Sequence, residues 1–132
     1  MKVVIDTNVV FSALYRPSSA PGGLLMLAIE GGVDLVAPET VRKELADVLQ
    51  RKLGYSAGDL ATTLDALPIE WFEQGFYAGF LPRAKKAIAD EDDAPLVALA
   101  LALGIGVVSG DSSFHPLRRR IVRTWRPRQI LG

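Results

Sequence analysis

Val3, Val4 and Ile5 make an apolar run with no polar face, and Asp6 closes it with a carboxylate. A strand that is apolar at successive positions needs cover on both sides, as in a parallel sheet packed between helices. Residues 33–37, 69–73, 105–109 and 121–125 also read as strands, the last at an edge. Helices are expected between them. One spans 19–29, stopped by Gly31-Gly32. Another follows Pro38, carries Val41, Leu45, Val48 and Leu49 at helical spacing, and stops at Gly54. Ser56 with Asp59 resembles a capping box for a third, ended by Pro68. Asp93-Ala94-Pro95 opens a fourth that is apolar all round through Leu103, as a buried helix is. A short helix is suggested by "VVFSAL" after Asp6. Residues 74–89 show no such period and read as a loop with a helical turn. Strands alternating with helices predict an α/β fold with a parallel sheet, here as a single domain over 1–132.

In such sheets ligands bind beyond the carboxyl ends of the strands, where strand order reverses. Two strands end near an acid, "VVID" at Asp6 and "VVSGD" at Asp111. Taken singly, each acid has an ordinary role. Asp6 or Asn8 suits a helix cap, Asp93 suits the N-cap of the apolar helix, and Asp111 suits a turn. Glu44, on the flank of its helix beside Val41 and Val48, suits a solvated face. Taken together they suit a site. Strands one and four as neighbours bring Asp6 beside Asp111, with Asp93 and Glu44 reaching the same edge. Two like charges about 4 Å apart repel by roughly 4 kcal/mol at an effective dielectric of about 20. Four such groups call for protons or a divalent cation. With no Cys and one His in the chain, oxygen-only ligands point to Mg²⁺ or Mn²⁺.

The absence of Cys also excludes disulfides and thiolate chemistry, and fits a cytoplasmic location. No stretch is long enough for a membrane span, and the N-terminal apolar run breaks at Asp6, so neither a membrane association nor a signal peptide is expected. Fifteen basic and fifteen acidic residues give no net field, but they are segregated. Asp90, Glu91, Asp92 and Asp93 form an acidic run, while Arg118, Arg119, Arg120, Arg123, Arg126 and Arg128 crowd the C-terminal end. The arginines suit a charged edge strand that discourages strand addition. Arg118, Arg119, Arg120 and Arg123 equally suit a phosphate-tracking rim, with Trp125 to stack a base.

Other chemistries fit less well. "GIGVVSG" lies within a strand, so it is not a dinucleotide loop. His115 in "DSSFH" has no nucleophile elbow near it. An aspartate-nucleophile phosphatase or a receiver domain needs a second acid near Asp6, where Asn8 stands.

The stretches "VVIDTNVVFSAL", "PETVRKELADVL" and "DEDDAPLVALALALGIGVVSGD", in this order, resemble the PIN-domain ribonucleases, and among them the VapC-like toxin components of type II toxin–antitoxin pairs. The resemblance spans nearly the whole chain. It implies a three-layer α/β/α fold with strand order 3-2-1-4-5 and RNA cleavage dependent on Mg²⁺ or Mn²⁺. The family's four acids fall on Asp6, Glu44, Asp93 and Asp111, with Asn8 as a polar companion and Ser109 in the Thr/Ser position. Asp90 and Asp92 match further acidic positions and can share the third role. A cognate antitoxin and a homodimer are implied partners. The alternative is a PIN-like module that holds RNA or protein without cutting.

Overall fold

The computed structural model describes residues 1–88, 90–110 and 121–132. Strands β1 (Lys2–Ile5), β2 (Asp34–Pro38), β3 (Ile69–Phe72), β4 (Gly106–Val108) and β5 (Thr124–Trp125) form a five-stranded sheet in the order β3-β2-β1-β4-β5. All four pairings are parallel. The α/β class and the strand order thus agree with the sequence reading. Val3, Val4 and Ile5 are at most 1% exposed. Successive strand side chains point to opposite faces, so burial of all three means that both faces of β1 are covered.

Seven helices intervene between the described strands: α1 (Thr7–Tyr15), α2 (Ala20–Ile29), α3 (Glu39–Leu53), α4 (Ala57–Ala66), α5 (Gln74–Tyr77), α6 (Leu81–Ala87) and α7 (Ala94–Leu103). A C-terminal helix, Pro127–Leu131, follows β5. α1 packs on α2 and α3, α2 on the C-terminal helix, and α5 and α6 on α7. α7 lies against β1, β2 and β4, with Leu96, Val97, Leu99 and Ala100 in the core. That is the buried helix its all-apolar sequence predicts.

Local signals place the ends of several helices. Ser19 and Ser56 accept backbone N–H bonds from Gly22 and Asp59 at the starts of α2 and α4. Gly54 and Gly104 take left-handed φ of 67° after α3 and α7, which glycine adopts at no steric cost.

Three points differ from the sequence reading. Residues 74–87 are helical rather than loop-like. α5 runs through a 3-10 turn, Ala78–Phe80, into α6. These pieces are too short to show a period, and they are held by burying Tyr77 and Ala84 near α7. β5 is paired only at Thr124 and Trp125 rather than from 121. The C-terminal helix has no counterpart in the sequence reading.

Candidate active site

β1 and β4 lie side by side with Ile5 opposite Val108, so the next residues, Asp6 and Ser109, face each other at the carboxyl edge. The Asp6 N–H donates to the Val108 carbonyl at 3.3 Å, continuing the ladder past Ile5. Asp6 then turns the chain into α1 as its N-cap, and its Oδ1 accepts a 3.5 Å bond from the Asn8 N–H. Its Oδ2 accepts a 3.1 Å bond from the Ser109 hydroxyl. Ser109 is fully buried and Asp6 is 7% exposed. Asp6 is thus both cap and site candidate, and the two readings of it coexist.

Around Asp6 lies a pocket of about 230 Å³, lined by the five carboxylates Asp6, Glu44, Asp90, Asp92 and Asp93. Helices in a parallel α/β fold run back against the strands, so α3 and α7 both begin at this edge. That geometry places Glu44 on the second turn of α3 and the acidic run at the mouth of α7. Thr7, Asn8 and Thr40 add oxygen donors. Thr7 and Thr40 were not singled out in the sequence. The signal for Thr40 was present, since it stands one helical turn before Glu44 on the same face.

No Lys, Arg or His is among the described residues lining this pocket. The Glu44 carboxyl titrates above its ordinary value because of partial burial, followed by the charges of Asp6, Asp92, Asp47 and Asp90. A concentration of carboxylate oxygens without a cationic side chain fits a hard divalent ion. Among the described residues, no three acids already stand in the arrangement of a ready ligand cluster.

The acidic run divides its work differently from the sequence reading. Asp90, not Asp93, makes the capping bond: its Oδ1 accepts from the Asp92 N–H at 3.0 Å. It caps a 3-10 turn, Glu91–Asp93, that leads directly into α7. Asp93 already has helical backbone angles at the head of α7 and makes no capping hydrogen bond there. A side-chain cap needs extended backbone at its own residue, which here belongs to Asp90. Asp93 is half-buried and lines the pocket. Asp111, Arg118, Arg119 and Arg120, together with His115, lie outside the described residues.

Arg123 is placed away from the acids. Its guanidinium stacks over Trp125, 4.0 Å from the ring centroid. Both line a pocket with Met1, Lys2 and Gly106 at the amino edge of the sheet. The indole leans back over Gly106, where a Cβ would stand 2.9 Å from Nε1.

The comparisons with known proteins agree with this architecture. Residues 2–113 match the family model of the PIN domain. The chain belongs to the PIN-domain family. Members of this family are nucleases and generally use divalent metal ions, which accords with the acid-lined pocket of this PIN domain. Among the solved structures that share its fold are these two. One is a chain of VapBC2 from Rickettsia felis bound to a DNA fragment from their promoter, with 19% identity, a TM-score of 0.65, and 95% of this chain and 99% of that one covered. The other belongs to FitAB bound to the IR36 DNA fragment, with 19% identity, a TM-score of 0.52, and 96% and 95% covered. No curated protein matches the sequence of this PIN domain. No helix among the described residues is long and apolar enough to cross a membrane.

Proposed function

We propose that this PIN domain is an endoribonuclease dependent on Mg²⁺ or Mn²⁺, acting as the toxin of a toxin–antitoxin pair. The observation that carries the reading is the pocket at the carboxyl edge, where Asp6, Glu44 and Asp93 meet without a cationic side chain among the described lining residues. Asp6, Glu44, Asp93 and Asp111 would hold the ion, with Asn8, Asp90, Asp92 and Ser109 in support. When bound, a divalent ion supplies a water nucleophile at neutral pH and stabilises charge on a scissile phosphate.

The chain's own residues prepare that site. The Ser109 hydroxyl and the Asn8 N–H fix the two oxygens of Asp6 in separate directions. Burial and then the like charges around Glu44 raise its affinity for a proton, and the same charges favour a cation. Without a cation, the same charges repel an RNA backbone.

The toxin role rests on the resemblance to VapC-like toxins and on the fold shared with chains of the VapBC2 and FitAB complexes. It carries with it an antitoxin partner, a homodimer and a cytoplasmic location.

Incubation of the purified protein with single-stranded RNA, with Mn²⁺ or with EDTA, tests the reading. Cleavage with Mn²⁺ that disappears with EDTA and in Asp6→Asn is the expected result. RNA binding without cleavage under any metal condition establishes the non-catalytic binding module instead.

A further inference from the structure

A second cleft opens beside the acidic pocket, between α1, α2 and the C-terminal helix, with a volume of about 550 Å³. Val9, Ala20, Pro21 and Pro127 give it an apolar floor, while Ser12 and Gln129 add polar groups. Asn8 lines both this cleft and the acidic pocket, so the two spaces meet at one residue. Arg126 and Arg128 also line it, and both are exposed. The ion pairs among the described residues are Arg42–Asp65 and Arg51–Asp47, so neither of these two guanidiniums is neutralised by a carboxylate there.

Building on the ribonuclease reading above, we propose that this cleft holds the nucleotide next to the scissile phosphate, with Arg126 and Arg128 binding its phosphate groups. An acid-lined pocket repels RNA, so a strand that enters it needs cationic contacts on a neighbouring wall. The guanidinium fork matches phosphate oxygens in pairs. An apolar floor with a few polar groups at its rim is suited to a base, and the volume falls within the range of small-ligand sites. Arg123, stacked on Trp125 at the amino edge, does not share this wall. The strand path therefore runs over the C-terminal helix rather than along β5.

The test compares wild type with the Arg126→Ala/Arg128→Ala double variant in RNA binding, using labelled single-stranded RNA with Ca²⁺ replacing Mn²⁺, across a salt series. The slope of log K against log[salt] should fall by roughly 1.4 for two lost phosphate contacts, and Arg126→Lys/Arg128→Lys should retain most of it. In cleavage with Mn²⁺, KM should rise several-fold in the alanine variant while kcat stays within about twofold. An unchanged slope with an unchanged KM in an active enzyme overturns the cleft and leaves the ribonuclease reading intact. Loss of slope in a protein that never cleaves RNA keeps the cleft as an RNA-binding surface, but overturns its place beside a scissile phosphate and removes the ribonuclease reading. If the double variant fails to fold, wild-type protein is photo-crosslinked to 4-thiouridine RNA. Crosslinks within 9–12 and 126–129 support the proposal, and crosslinks confined elsewhere overturn it. A variant that loses affinity for a polyglutamate peptide while keeping RNA binding also overturns it, assigning the cleft to an acidic protein segment.

Discussion

Ser109 donates its hydroxyl to Asp6 Oδ2 at 3.1 Å, across the β1–β4 pair and 103 residues apart in the chain. Both residues are buried, so this bond holds one oxygen of a carboxylate that water barely reaches. Removing it leaves that oxygen short of a donor. Ser109→Ala should destabilise the protein by about 1.5–3 kcal/mol, the range for a bond to a charged group. Urea unfolding with EDTA present measures this apart from any effect of metal.

The acidic pocket stores like-charge repulsion. Glu44→Gln and Asp93→Asn each remove one charge while keeping size and hydrogen-bonding capacity. Neither residue caps a helix through its side chain, so the metal-free variants should melt at or above the wild-type temperature. Added Mn²⁺ should raise the melting temperature less than in wild type, because ligand-linked stability falls with affinity. RNA cleavage should drop in parallel. Thermal melts with and without Mn²⁺, beside a cleavage assay, read all three. An Asp93→Asn protein with normal metal stabilisation and activity transfers the third acid to Asp90 or Asp92.

Tyr77 anchors α5 to the start of α3. Its hydroxyl donates to the Glu39 carboxylate at 3.3 Å from Oε2. Burial and then the Glu39 charge push its pKa up from 10.0 to about 12. The folded state therefore holds this proton more tightly than the unfolded chain does. The stability linked to it is complete below pH 10, falls as pH rises, and is lost above about pH 12. Tyr77→Phe should flatten that part of the alkaline unfolding profile, measured by circular dichroism between pH 9 and about 12.

Gly106 permits a close approach between β4 and the chain at Arg123 and Trp125. A Cβ there would stand 2.8 Å from the Arg123 carbonyl oxygen and 2.9 Å from Trp125 Nε1. Backbone cannot yield as a flexible side chain can, so Gly106→Ala should cost about 1–3 kcal/mol. It should also displace the indole, visible as a shift in tryptophan fluorescence. Trp71 contributes the remaining signal, so Trp71→Phe serves as the background.

Local pattern determined a large part of this molecule. The strand segments at 3–5, 33–37 and 105–109, and the helical spacing of Val41, Leu45 and Leu49, depend only on residues near in sequence, so they were readable as strands and as a helix. The same is true of the placement of Asp6 after a strand and of Asp93 at the head of α7. Tertiary structure decided what these acids meet. Asp6 finds Ser109 only because β4 crosses back beside β1, and Glu44 faces Asp6, Asp90 and Asp92 only because α3 and α7 begin at one sheet edge. It also moved the cap from Asp93 to Asp90, since a 3-10 turn entering α7 gives Asp93 helical backbone angles. α5, α6 and the C-terminal helix were illegible for a related reason. Helices of four, seven and five residues are too short to be stable or periodic alone. They exist because Tyr77, Ala84 and Pro127 find buried places against elements distant in the chain, and no local pattern records that contact.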